Sequence, residues 1–175
     1  MDGLATPQYE LRKLDGLTTL HHELGDLLRS SVAAFNLRGG ALYLIRQTGG
    51  ALQPVAVAGP VPEDAVDRLL ELVGQPLDPD GACTGQLFLP RGSGRGDMPH
   101  PAWVARLGSA SEPIGRLVLW ARPSRSLPAR RMRLAAALAH QMTLLVTYHH
   151  RALQAGNQAI LDERARLCRE LHDGA

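Results

Sequence analysis

Residues 103–121 read WVARLGSASEPIGRLVLWA, and this stretch decides the fold. Trp103–Leu107 (WVARL) and Ile114–Ala121 (IGRLVLWA) are apolar and rich in strand-favouring residues. Gly108–Pro113 between them supplies turn residues, so the pattern is that of a β-hairpin. The chain then breaks at Pro128 and enters a helical repeat over Pro128–Leu171. Leu134, Ala135, Leu138, Met142 and Leu145 form a broad apolar stripe in its first half, as expected of a helix laid on a sheet.

Working back toward the N-terminus, Met1–Pro7 reads as a frayed lead. Leu11–Phe35 repeats Leu14, Leu17, Leu20, Leu24, Leu28 and Val32 at three- and four-residue spacing, the mark of a helix. Gly16 and Gly25 weaken it by about 1 kcal/mol each relative to alanine. Asn36 and Gly39-Gly40 end it. Ala41–Arg46 and Leu52–Ala58 are strands joined by a turn at Gln47–Gly50. Pro54 lacks a ladder N–H, which puts its strand at an edge or beside a bulge. Pro62–Val73 is helical by its apolar spacing. Gln75–Pro101 is rich in Gly, Pro, Asp and Ser, so loops are expected there, with one short strand near Gln86–Leu89. The class is therefore α+β: an antiparallel sheet flanked by helices.

This order resembles the GAF family of sensory domains over roughly residues 14–153. The residues that carry the resemblance are P-I-G-R-L-V-L-W-A, the Pro-containing break, and R-M-R-L-A-A-A-L-A-H-Q-M-T-L-L-V. Gly115 takes the family's small-residue strand position. A PAS fold fits less well, because PAS domains usually lack the long first helix. The resemblance implies a small-molecule cavity with no ligand named. It also makes Arg91–Asp97 (RGSGRGD) a lid over that cavity and puts Cys83 near its frame.

Further along the last helix, every seventh residue from Met132 is apolar: Met132, Ala139, Val146, Leu153, Ile160 and Leu167. That series is coiled-coil-like. The partner seam holds His150, Asn157, Arg164 and Leu171, and polar residues on a seam can fix register between two chains. Gly156 is the expected soft point. A homodimer through the first and last helices is expected.

Asp162–Ala175 reads DERARLCRELHDGA. A neutral imidazole is a nucleophile, and a neighbouring carboxylate can orient it and take its other proton. The string E-R-x-R-L-x-R-E-L-H-D-G resembles the phosphoacceptor box of sensor histidine kinases paired with LuxR-type response regulators. The resemblance implies that His172 is the phosphoacceptor and Asp173 the general base. Cys168 stands where that family often has alanine. One residue step on a helix is ~100°, which turns His172 away from the Leu167 and Leu171 face toward a solvated flank.

No P-loop, N-box or glycine-rich ATP lid occurs in the sequence. The chain is thus expected to be inactive alone, as a piece of a longer kinase whose other parts bind ATP and Mg²⁺. Residues 1–13 would be the lead, 14–153 the sensor, and 154–175 the signalling helix with the start of the phosphotransfer domain.

Composition narrows the other classes. A net charge of +2 gives no pull toward nucleic acid or membranes. No apolar run reaches the ~20 residues of a membrane span, and no signal-peptide core opens the chain. Two cysteines far apart, Cys83 and Cys168, fit neither a disulfide framework nor a zinc site. A bilin-type attachment at Cys83 lacks the usual following histidine, since Thr84 stands there. A GAF-type sulfoxide reductase would need resolving cysteines close by. His21-His22 and His149-His150 point ~100° apart on a helix and chelate poorly, so no metal is expected. His100 and His140 could ligate haem only in a cavity poor in aromatics.

The sequence therefore favours a cytoplasmic, bacterial sensory input piece of a two-component histidine kinase. The competing class is a free-standing small-molecule-binding GAF module with an incidental terminal His-Asp.

Overall fold

The structure is a computed structural model, and it describes residues 7–45, 50–61, 71–74, 77, 83–88, 99–124 and 126–173. Side chains are described in these except at 7–17, 88, 157, 164 and 167–173. The elements are α1 (Pro7–Ala34), β1 (Gly39–Ile45), β2 (Leu52–Ala58), β3 (Cys83–Phe88), β4 (His100–Gly108), β5 (Pro113–Trp120) and α2 (Ala129–Asp173). Five strands form one sheet in the order β2-β1-β5-β4-β3, and every neighbouring pair is antiparallel.

Local chemistry explains the boundaries. α1 ends in a Schellman motif: the Leu37 N–H donates to the Val32 carbonyl at 2.9 Å and the Asn36 N–H to Ala33 at 3.1 Å. Asn36 takes the left-handed conformation at φ 50°, which asparagine tolerates better than most residues. β2 is an edge strand, and its pairing with β1 slips between Leu42 and Tyr43, leaving Val55 extra beside Pro54. Pro54 is thus accommodated at both an edge and a bulge, as its missing N–H requires. The β4–β5 hairpin closes on Gly108, at φ 87°. A Cβ on Gly115 would overlap the Tyr43 carbonyl of β1, so that strand position admits only glycine.

The described residues divide into two compact units, His21–Thr143 and the pair Met1–Leu20 with Leu144–Ala175. The first contains the sheet. Leu24, Leu28 and Val32 of α1, and Ala135, Leu138, Ala139 and Met142 of α2, are buried in it with Leu42, Trp103, Leu107, Leu117 and Leu119. Gly40 lets α1 approach: Leu28 Cδ1 lies 3.0 Å from where a Cβ would sit. Arg131 of α2 stands 5.7 Å from the Trp103 ring centroid, and the Gly108 N–H donates to Thr143 Oγ1 at 3.0 Å. The Thr143 hydroxyl donates in turn to the Ala139 carbonyl at 2.8 Å.

In the second unit, α2 continues through Gly156 without interruption. Val146, Leu153 and Ile160 are half-buried, whereas Leu144, Tyr148 and Leu161 are exposed.

Four strands begin earlier than the sequence suggested: β1 at Gly39 instead of Ala41, β5 at Pro113 instead of Ile114, and β3 and β4 by three residues each. Cys83 is the first residue of β3, not a loop residue, and β4 starts at His100 instead of Trp103. Pairing of β3 with β4 extends both. Pro101 fits because its carbonyl accepts from the Ala121 N–H at 3.0 Å while it has no N–H to satisfy. Of the expected helix Pro62–Val73, residues 62–70 lie outside the described residues; 71–74 are helical. The Met1–Pro7 lead before Pro7, most of the Gln47–Gly50 turn and the Arg91–Asp97 stretch also lie outside them.

Candidate functional site

Side chains alternate across a strand, so the sheet has two unlike faces. One meets α1 and α2. On the other, Ala41, Ala102, Val104, Val118 and Trp120 form a buried cluster with Leu72 and Val73, and Tyr43, Leu52, Val61 and Leu77 pack against it. Trp120 Nε1 donates to the Pro60 carbonyl at 3.3 Å and ties the segment after β2 to this face.

One row on that face is not apolar. Tyr43 pairs with Arg116, and Arg116 pairs with Arg106, so a phenol and two guanidiniums stand side by side across β1, β5 and β4. Both arginines are half-buried. Burial lowers the Arg116 pKa, and the charge of Arg106 lowers it further. Burial also raises the Tyr43 hydroxyl. The sequence reading missed this pair. Counting outward from the Gly108–Pro113 turn would set Arg106 opposite Gly115; the bulge there brings it opposite Arg116 instead.

Cys83 does not belong to that face. It pairs with Ala105, which lies on the helix side with Trp103 and Leu107, while Thr84 and Gln86 point to the other side. The register puts Cys83 on the helix side of the sheet. Burial pushes the thiol up to about 11. The raised value makes the folded state favour the neutral thiol, so that contribution to stability is complete below the unfolded value and is lost as pH rises through about 11. In a Cys168→Ser background, alkylation of Cys83 at pH 8 is expected to run roughly 100-fold slower than in the unfolded chain, following thiolate fraction. Equal rates would mean the thiol is not buried as described.

His172 and Asp173 occupy the last turn of α2, and their side chains lie outside the described residues, as do those of Asn157, Arg164, Leu167, Cys168 and Leu171. The helix leading to them has a solvated polar surface. His150 Nε2 lies 2.9 Å from Gln154 Nε2, Gln158 donates to Asp162 at 2.9 Å, and Arg166 donates to Glu163 at 2.8 Å. These exposed pairs are each worth a few tenths of a kcal/mol at about i, i+3 or i+4 spacing.

The other histidines have separate surroundings. His22 stands 3.3 Å from Asp26, and Tyr148 meets the His149 ring edge-on at 6.0 Å. His100 is buried with Nδ1 3.3 Å from the Ala121 carbonyl. Among the described residues no three His, Cys, Asp or Glu side chains converge on a metal position. No described helix is long and apolar enough to cross a membrane.

Comparison with solved structures decides what this architecture is. The GAF domain of a protein assigned as a sensor histidine kinase from Pseudomonas syringae pv. tomato is 21% identical, over 87% of this chain and 96% of that one, with a TM-score of 0.50. The blue-light absorbing form of the PixJ GAF domain from Thermosynechococcus elongatus is 11% identical, over 83% of this chain and 95% of that one, with a TM-score of 0.57. The fold is GAF-like. A domain of a protein assigned as a two-component sensor histidine kinase from Sinorhizobium meliloti 1021 agrees, at 15% identity over 78% and 96% of the two chains and a TM-score of 0.53. No family model matches the sequence, and no curated protein does. At these identities the likeness concerns the GAF architecture alone. The expected antiparallel sheet flanked by helices, with a long C-terminal helix, is what is found.

Proposed function

We propose that this chain is the sensory input part of a bacterial, cytoplasmic two-component histidine kinase. In this reading the GAF-like unit responds to a small molecule or partner and α2 passes that state to His172. The observation that carries it is the continuity of α2. One helix, Ala129–Asp173, includes the residues buried with the sheet, the half-buried Val146, Leu153 and Ile160, and the His172-Asp173 turn. A helix shared in this way can pass a small shift at the sensor along its length. Two of the structurally similar GAF-like domains come from proteins assigned as sensor histidine kinases, which supports the same reading.

The parts take the following roles. A parallel homodimer forms through α1 and α2, because an apolar series repeating every seven residues needs a second helix to cover it. His172 accepts the phosphoryl group and Asp173 acts as its base. An ATP- and Mg²⁺-binding kinase domain supplies the phosphoryl group, and a LuxR-type response regulator receives it.

The test mixes the chain with an active histidine-kinase catalytic core, ATP and Mg²⁺. The expected product is a phosphate on the chain that is labile in acid and stable in base. If the chain stays unlabelled while a known acceptor in the same mixture is labelled, the kinase reading fails. The chain would then be a free-standing small-molecule-binding GAF module.

A further inference from the structure

We propose that Thr143 is a positioning residue that latches α2 to the turn of the β4–β5 hairpin, so that a shift of the hairpin reaches the helix at the place where it leaves the sheet. The inference rests on the sensory reading above and names the point at which the sheet passes its state to α2.

The donor is set by the backbone. Leu107 pairs with Gly115 and Gly108 with Pro113, so Ile114 is left without an opposite residue and the ladder is broken at the hairpin end. Gly108 has φ 87°, and a Cβ there would overlap the Glu112 carbonyl. Its N–H is directed at α2, where it donates to Thr143 Oγ1 at 3.0 Å.

The acceptor is equally fixed. The Thr143 hydroxyl gives its one proton to the Ala139 carbonyl at 2.8 Å, which leaves only lone pairs for the Gly108 N–H. A threonine bonded back to the carbonyl four residues earlier also tends to bend its helix. Two arrangements follow. In the closed one, hairpin and helix share the hydroxyl. In the open one, water takes the Gly108 N–H and the Thr143–Ala139 bond persists.

Position gives the latch its use. Met142 is the last buried residue of α2, Thr143 is half-buried, and no described side chain after it is buried. Thr143 is also the last residue of the sheet-bearing unit. Buried apolar side chains such as Leu138 and Met142 hold the helix to the sheet without direction. A hydrogen bond has a preferred length and angle, so it selects one arrangement of helix against hairpin. Arg131 over the Trp103 ring holds the first turn of α2, about 18 Å back along the helix. β5 lies in the middle of the sheet, with β4 beside it. A displacement of β4 against β5 moves the turn that carries the Gly108 N–H, and the population of the closed latch changes with it.

The experiment uses the whole chain and hydrogen exchange resolved by residue. Thr143→Val keeps the side-chain shape and removes the hydroxyl. Exchange of the Gly108 amide should rise roughly fivefold, the factor that one ordinary hydrogen bond supplies, and the amides of residues 144–148 should rise with it. The amides of Val118 and Leu138, buried in strand and helix, should stay within about twofold. Thr143→Ser keeps the hydroxyl and should restore the wild-type pattern. Thr147→Val, at a half-buried threonine one turn further on, should leave the Gly108 amide unchanged. Should Thr143→Val fail to fold, the wild-type chain in low urea decides the matter. Gly108 and residues 144–148 should then open with one shared urea dependence, smaller than that of Val118. Overturning results are a Gly108 amide indifferent to Thr143→Val, a rise shared equally by Val118 and Leu138, Thr143→Ser behaving as Thr143→Val, or separate urea dependences in the wild type. This assay contains no kinase, so its failure leaves the phosphotransfer result standing, and an unlabelled chain in the kinase mixture leaves the exchange result standing.

Discussion

Trp103→Ala is expected to remove roughly 3–5 kcal/mol of folding stability, the usual range for truncating a fully buried tryptophan. That is a large share of the roughly 5–15 kcal/mol that a domain possesses. Trp103 is fully buried on the helix face, with Arg131 over its ring. Its indole edge comes within 3.1 Å of the position a Cβ on Gly85 would take, so β3 has a glycine where the ring needs room. Removing the ring leaves a hole bordered by sheet and helix, which rigid neighbours fill poorly. Phenylalanine substitutions sharpen the test. Trp103 Nε1 is buried with no hydrogen-bond partner among the described residues, whereas Trp120 Nε1 bonds the Pro60 carbonyl. Trp103→Phe therefore loses packing but sheds a poorly placed donor. Trp120→Phe loses packing and about 1 kcal/mol of hydrogen bonding. The expected order of damage is Trp103→Phe, then Trp120→Phe, then Trp103→Ala, by urea denaturation followed by circular dichroism. A loss below about 1 kcal/mol for Trp103→Ala would contradict the helix-on-sheet core.

Where a single residue type dictates geometry, the sequence was readable. Pro54 announced an edge or a bulge, and β2 has both. Asn36 announced the end of α1 and takes the left-handed position of its cap. The hairpin around Gly108–Pro113 could be drawn from composition because both arms are apolar and the turn is not. β3 was harder. Cys83–Phe88 reads CTGQLF, with Thr84, Gly85 and Gln86 giving no apolar alternation, and its pairing with β4 is a property of the fold rather than of the segment. The same limit hid the arginine pair. Arg106 and Arg116 sit ten residues apart in ordinary-looking strands, and only the bulge at the hairpin end makes them partners. A register shift of one residue would have sent either to the opposite face.

His172→Ala is expected to abolish phosphorylation by a kinase core in trans while leaving the melting temperature within about 1 °C. The functional loss should be complete, because alanine offers no nucleophile and Asp173 cannot form the same acid-labile bond. The structural silence follows from where stability resides. The buried residues of α2 are Ala135, Leu138, Ala139 and Met142, all in the sheet-bearing unit, and the half-buried series after them reaches Ile160. His172 lies at the far end of that helix, in its last turn, where alanine has the higher helix propensity by a few tenths of a kcal/mol. Helix ends also contribute least to global stability, since their final carbonyls have no partner within the helix. His172→Gln separates the two roles further: it keeps a polar side chain of similar length and should be equally unable to hold the phosphate. Retained acid-labile phosphate in either variant would move the acceptor to another histidine, with His149 and His150 the first to be substituted. A fall of several degrees in the melting temperature of His172→Ala would instead make the residue structural, and the signalling reading would lose its central group.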